Sequence, residues 1–160
     1  MEGDVVGEVD RPGPAGPGGP RSGRVGPRRQ ARELALQLLY ELDVRGEPAP
    51  GSVADDFWGR QTASDEARAY ADVLVRGTKV HQPTIDELIT RFAEHWDLDR
   101  MAVVDRNILR AGIFELLWGR EVPPKVIINE ALEIAKKFST EESTRFINGL
   151  LDRVRRELRP

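Results

Sequence analysis

The stretch that decides the fold runs from Val126 to Leu151 and reads V-I-I-N-E-A-L-E-I-A-K-K-F-S-T-E-E-S-T-R-F-I-N-G-L-L. Val126, Ile127, Ala131, Ile134, Ala135 and Phe138 recur at helical spacing and predict one buried stripe. Phe146, Ile147, Leu150, Leu151, Val154 and Leu158 predict the next. Ser139 and Glu142 between them have the spacing of a capping box, which places the start of the second helix there. Asn129-Glu130-Ala131 and Asn148-Gly149 interrupt these patterns with poor helix formers. A glycine inside a helix costs about 1 kcal/mol relative to alanine, and close helix approach at Gly149 is the expected compensation. Asn129 is expected to cap or bridge a neighbouring turn, and Asn148 to satisfy buried backbone groups.

Working outward, every periodic segment is helical. A first helix is expected from Arg28 to Val44, with Ala31, Leu34, Ala35, Leu38, Leu39 and Leu42 on one face. A short helix follows around Ser52 to Trp58, and Ser64 is placed to cap another. Thr84 with Glu87 reads as a further capping box, opening a helix with Ile85, Leu88, Ile89, Phe92 and Trp96 inward. From Met101 to Trp118 almost no polar side remains, so this helix belongs at the centre. Gly119 and Pro123-Pro124 separate it from the next one. Neither an alternating strand pattern nor a phosphate-binding glycine loop occurs, and the class is all-α.

A chain of 160 residues supports one domain. Residues 1–27, with five prolines and eight glycines, are expected to form a disordered leader, leaving 28–160 as the domain. Cysteine is absent, which excludes a disulfide framework, a thiolate nucleophile and a Cys-based zinc site. The chain has no membrane-length apolar run or signal-peptide core, so a cytoplasmic protein is expected. His81 and His95 lack a companion at catalytic or metal-ligand spacing and are expected at helix ends or on the surface. Asp97, Asp99 and Asp105 do not converge at metal-binding spacing, so no metal and no cofactor is expected. Arg106 and Arg110 lie one turn apart in the apolar helix, and ion pairs with acids such as Asp105 or Glu115 are expected.

The formal net charge of −3 argues against indiscriminate coating of nucleic acid, so any binding must use local positive charge. Arg28, Arg29 and Arg32 open the first helix, where the macrodipole disfavours them by a few tenths to about 1 kcal/mol each. An anionic ligand would offset that cost. On a helical wheel Tyr40 and Arg29 project opposite the apolar stripe, with Arg32 to one flank. A phenol beside guanidinium groups suits single-stranded RNA, whose bases stack while arginine holds phosphates. The alternative packs Tyr40 beneath another helix, because Leu36 lies on the same face.

The opening R-R-x-A-R-E-x-A-x-Q-x-L-Y, read with the Asn129-Glu130-Ala131 and Asn148-Gly149 motifs, resembles the NusB family of bacterial antitermination factors. The resemblance covers about Arg28 to Leu158. It implies about seven helices in two small subbundles around a shared central helix. It also implies a non-enzymatic function: binding a single-stranded boxA-type element of nascent ribosomal RNA together with the ribosomal protein NusE, supporting processive transcription of ribosomal RNA operons. Contact with the RNA polymerase elongation complex would be indirect. Arg28, Arg29, Arg32 and Tyr40, with Glu142 and Phe146 nearby, would belong to the RNA surface. Arg91, Trp96, Asp99 and Asp105 would be contacts for NusE. The resemblance leaves open a homodimer in the free state. Two rival readings are a helical protein-interaction module and a relative of the RNA-binding domain of ribosomal RNA cytosine methyltransferases.

Overall fold

The segment with almost no polar side becomes the helix around which the others pack. The computed structural model describes residues 26–47, 51–94 and 96–159, and the expected leader lies outside them up to residue 25. Six α-helices and one 3-10 turn are present among the described residues: α1 Pro27–Arg45, α2 Ser52–Gly59, α3 Asp65–Phe92, the 3-10 turn Leu98–Arg100, α4 Val103–Trp118, α5 Pro124–Phe138 and α6 Glu141–Leu158. No strand occurs among those residues, so the class is all-α as expected. The chain divides into two units, Met1–Gln30 and Ala31–Pro160, and the first turn of α1 belongs to the former.

Within the second unit α4 packs against α3, α5 and α6 at once. Leu109, Ile113 and Leu116 on α4 are fully enclosed, together with Leu74, Ile85 and Ile89 of α3, Ile127 of α5 and Ile147 of α6. The long α3 serves both halves of the fold. Near its start Arg68 lies over the Trp58 ring of α2, and Arg60 at the end of α2 pairs with Glu41 of α1. Its later turns pack on α4 and α6.

Three local expectations are corrected. Thr84 and Glu87 open no new helix, because α3 runs without a break through Pro83. Proline removes one backbone donor, yet continuous burial of Leu74, Val75, Thr78, Ile85 and Ile89 on one side holds the helix together. The cap of α6 is Thr140, whose hydroxyl accepts from the Ser143 amide 3.0 Å away, and not Ser139. Ser139 instead terminates α5 and donates its hydroxyl proton to Asp105. The stripe of α5 is also rotated slightly: Ile128 is buried, whereas Val126 and Phe138 are exposed. Ser64 does cap α3, accepting from Ala67 at 3.1 Å.

At Gly77 the α3 backbone lies directly against the Phe114 ring of α4. His81, one turn later, stacks on Trp118 at 4.0 Å, so it lies within α3 and half-buried rather than at a helix end. His95 lies outside the described residues. A methyl group on Gly77 would overlap the Phe114 ring and displace it from the His81–Trp118 stack. Gly77→Ala should therefore destabilise the fold by about 1–3 kcal/mol in denaturant unfolding, although alanine is the better helix former.

Candidate nucleic-acid and partner interface

Helix α4 is apolar nearly all round, yet it buries Asp105, Asn107, Arg110 and Glu115. Each finds its partner on another helix or in its own backbone. Arg32 of α1 forms a two-pronged pair with Glu115, Nε to Oε1 at 2.7 Å and Nη2 to Oε2 at 2.9 Å. The Tyr70 hydroxyl of α3 donates to the same carboxylate at 2.5 Å, and Glu130 of α5 stands 4.0 Å from Arg32. Burial works against the Arg32 charge, but the hydrogen bond and the charge of Glu115 outweigh it and raise its pKa above the ordinary value. Arg32 is thus permanently charged and committed to the interior.

This corrects the expected place of Arg32 on an outward RNA face. It is 8% exposed, and Leu36 one turn later is buried with it; only Tyr40, a further turn on, reaches solvent at 44%. The buried arc of α1 wraps well beyond the Leu38 stripe and takes in Arg32 and Leu36.

A second network ties the end of α1 to α3 and α4. Asp43 accepts from Arg106 through both oxygens at 2.8 Å, from Asn107 at 2.8 Å and from Arg110 at 3.0 Å. Arg110 also grips Asp86 of α3 at 2.8 and 3.0 Å. Burial raises the Asp43 pKa, but hydrogen bonds from Arg106 and Asn107 and the charges of both arginines prevail, and its carboxyl sits below the ordinary range. Lys79 nearby is pushed down by burial and by the Arg110 charge. The expected pairing of Arg106 and Arg110 with Asp105 or Glu115 is corrected, because neighbours one or five positions apart point to different sides of a helix. Asp43 and Asp86 were missed as partners. A usable signal existed: Asp43 follows Leu39 by one turn, on the buried stripe of α1.

Asp105 does not stand on a partner surface either. It is 7% exposed and accepts from Ser139, linking the first turn of α4 to the end of α5. The remaining partner candidates are at the surface. Trp96 is 53% exposed, Asp99 is exposed beside Asp97, and Arg91 is exposed with its guanidinium over the Phe92 ring at 4.7 Å. Trp96 packs on Phe146 with ring centroids 5.3 Å apart, so one partner candidate and one RNA candidate are in direct contact. Glu142 is exposed one turn before Phe146 on α6. Tyr40 lines a separate shallow cleft of about 400 Å³ with Glu41, Arg45, Asp56 and Arg60. Within the first unit Arg28 is exposed and Arg29 half-buried, and both have interaction partners.

Asn148 and Gly149 are exposed, and nothing lies within 4 Å of where a Gly149 side chain would be. Close helix approach therefore does not account for the glycine, and Asn148 does not serve buried backbone. Asn129 is exposed as well, on the facing side of a groove shared by α5 and α6.

Among the described residues no cluster of three or more His, Asp or Glu side chains could hold a metal, and no helix is long and apolar enough to cross a membrane. Fold and surface together define an all-α recognition module with a charged interior and an aromatic patch at its surface. The chain belongs to the NusB family, whose profile spans residues 29–156. The transcription antitermination protein NusB of Koribacter versatilis is 46% identical over 136 residues, 84% of this chain and 92% of that protein. The Sorangium cellulosum protein of the same name is 45% identical, covering 84% and 95%. The solved structure of T. maritima NusB superposes with a TM-score of 0.75 at 36% identity, covering 86% and 96%. A chain from the crystal structure of NusB and NusE with double-stranded RNA gives 0.73 at 30% identity, covering 81% and 96%.

Two outcomes follow from the buried networks. Arg32→Met leaves the Glu115 charge without its partner and should cost about 3–5 kcal/mol in denaturant unfolding, with part of the loss recovered by adding Glu115→Leu. Unchanged stability would return Arg32 to the surface. For Asp43 the lowered pKa makes its contribution complete above the ordinary carboxylate value and lost as pH falls through the lower folded one. The thermal midpoint should drop below about pH 4, and Asp43→Asn should flatten that drop.

Proposed function

We propose that this protein is a transcription antitermination factor which binds a single-stranded boxA-type element of nascent ribosomal RNA together with NusE. It thereby supports processive transcription of ribosomal RNA operons, contacts the elongating polymerase indirectly and works in the cytoplasm. Its task is recognition rather than catalysis. The observation that carries the reading is the contact between Trp96 and Phe146, which joins one residue expected to meet NusE to one expected to meet RNA. Membership of the NusB family and the 30% identical neighbour solved with NusE and RNA support it.

In this reading Arg28 and Arg29 supply positive charge to the phosphates, while Phe146 and Tyr40 offer ring faces to bases, with Glu142 beside Phe146. Trp96, Arg91 and Asp99 face NusE. Arg32 acts as a positioning residue, holding α1 to α4 through Glu115. Asp105 plays the same part between α4 and α5.

The test is a titration of a boxA-type RNA against the full chain, with and without NusE, across a salt series. Replacing Arg28 and Arg29 with Gln should weaken binding and flatten the slope of log affinity against log salt by roughly 0.7 per lost contact. Tyr40→Ala or Phe146→Ala should cost about 1–3 kcal/mol with the salt slope unchanged. A folded wild-type chain that binds NusE but no RNA would establish the protein-interaction reading instead.

A further inference from the structure

The groove between the start of α5 and the later turns of α6 holds two poor helix formers that packing does not explain, Asn129 and Asn148. It measures about 470 Å³ and is lined by Pro123 and Pro124, Lys125, Asn129, Asn148, Asp152, Arg155 and Arg159. Neither amide, of Asn129 or Asn148, makes a hydrogen bond among the described residues, so each retains its donors and acceptor. Asp152 is the one carboxylate in the lining, and it is shared by Arg155 at 2.8 Å and Arg156 at 2.9 Å. Arg159 donates to the backbone oxygens of Leu116 and Arg120 rather than to an acid, and Lys125 has no ion pair among the described residues. The lining carries three cations and one carboxylate.

We infer that this groove is a second RNA-binding subsite, in which Asn129 and Asn148 read the edge of an unstacked base while Lys125, Arg155 and Arg159 hold the adjoining phosphates. The inference rests on the proposed function. Side-chain amides pair with base edges through a donor and an acceptor at once, and unstacked single-stranded bases expose those edges. Excess positive charge around them favours a polyanion over a peptide. On α6 Asn148, Asp152 and Arg155 follow one another at helical spacing along one face, about 200° round the helix from Phe146, so the groove is a site apart from that ring.

The experiment measures affinity of the full chain for a boxA-type single-stranded RNA in two variants, each with a thermal midpoint recorded. Asn129→Ala with Asn148→Ala should weaken binding about three- to tenfold at an unchanged salt slope. Lys125→Gln should lower the slope of log affinity against log salt by about 0.7. Wild-type binding with affinity and slope unchanged in both variants overturns the subsite and leaves the proposed function standing. Absence of RNA binding by the wild type overturns both.

Discussion

The pairing of Glu115 with Arg32 and Tyr70 is the interaction on which the arrangement of helices depends. A carboxylate at the centre of an otherwise apolar helix has a desolvation cost of several kcal/mol, and the fold tolerates it only with a guanidinium and a hydroxyl in place. Those groups come from α1 and α3. An apolar helix could slide or rotate within its bundle at modest cost, whereas this one is tied in register to two neighbours. The Asp43 network repeats the device one helical turn and more away, where Arg106, Asn107 and Arg110 of α4 meet α1 and Asp86 of α3. Buried ion pairs of this kind add little net stability over well-packed apolar residues. Their contribution here is specification: the charges decide which faces of α1, α3 and α4 meet.

This internal use of charge determines which residues are left to meet ligands. Arg32, Arg106 and Arg110 are committed to carboxylates inside the protein, and Asp105 to Ser139. The side chains left at the surface include Trp96, in contact with Phe146, and the outer face of α6. With a formal net charge of −3, the chain has to concentrate positive charge locally to attract RNA, and the groove beside Asn148 is one place where cations outnumber acids.

Periodicity alone made the helices legible, because amphipathic stripes and the apolar run at 101–118 leave few other ways to bury that much surface. The cap at Ser64 and the breaks at Gly119 and Pro123 were equally readable, since each acts through its own backbone. Family membership followed from motifs separated along the chain. Partners across space were not legible. Sequence neighbours suggested Asp105 and Glu115 for Arg106 and Arg110, and only the packing of α1 and α3 on α4 brought Asp43 and Asp86 there. The same packing extended α3 through Pro83, moved the α6 cap to Thr140, buried Arg32 and left Asn148 and Gly149 in the open. The sequence by itself determined which segments are helical and which helix is central, because those properties depend on local spacing and total apolar surface. The tertiary structure decided which charges are buried, which rings touch and which amides face solvent, because each depends on residues tens of positions apart meeting at atomic distance.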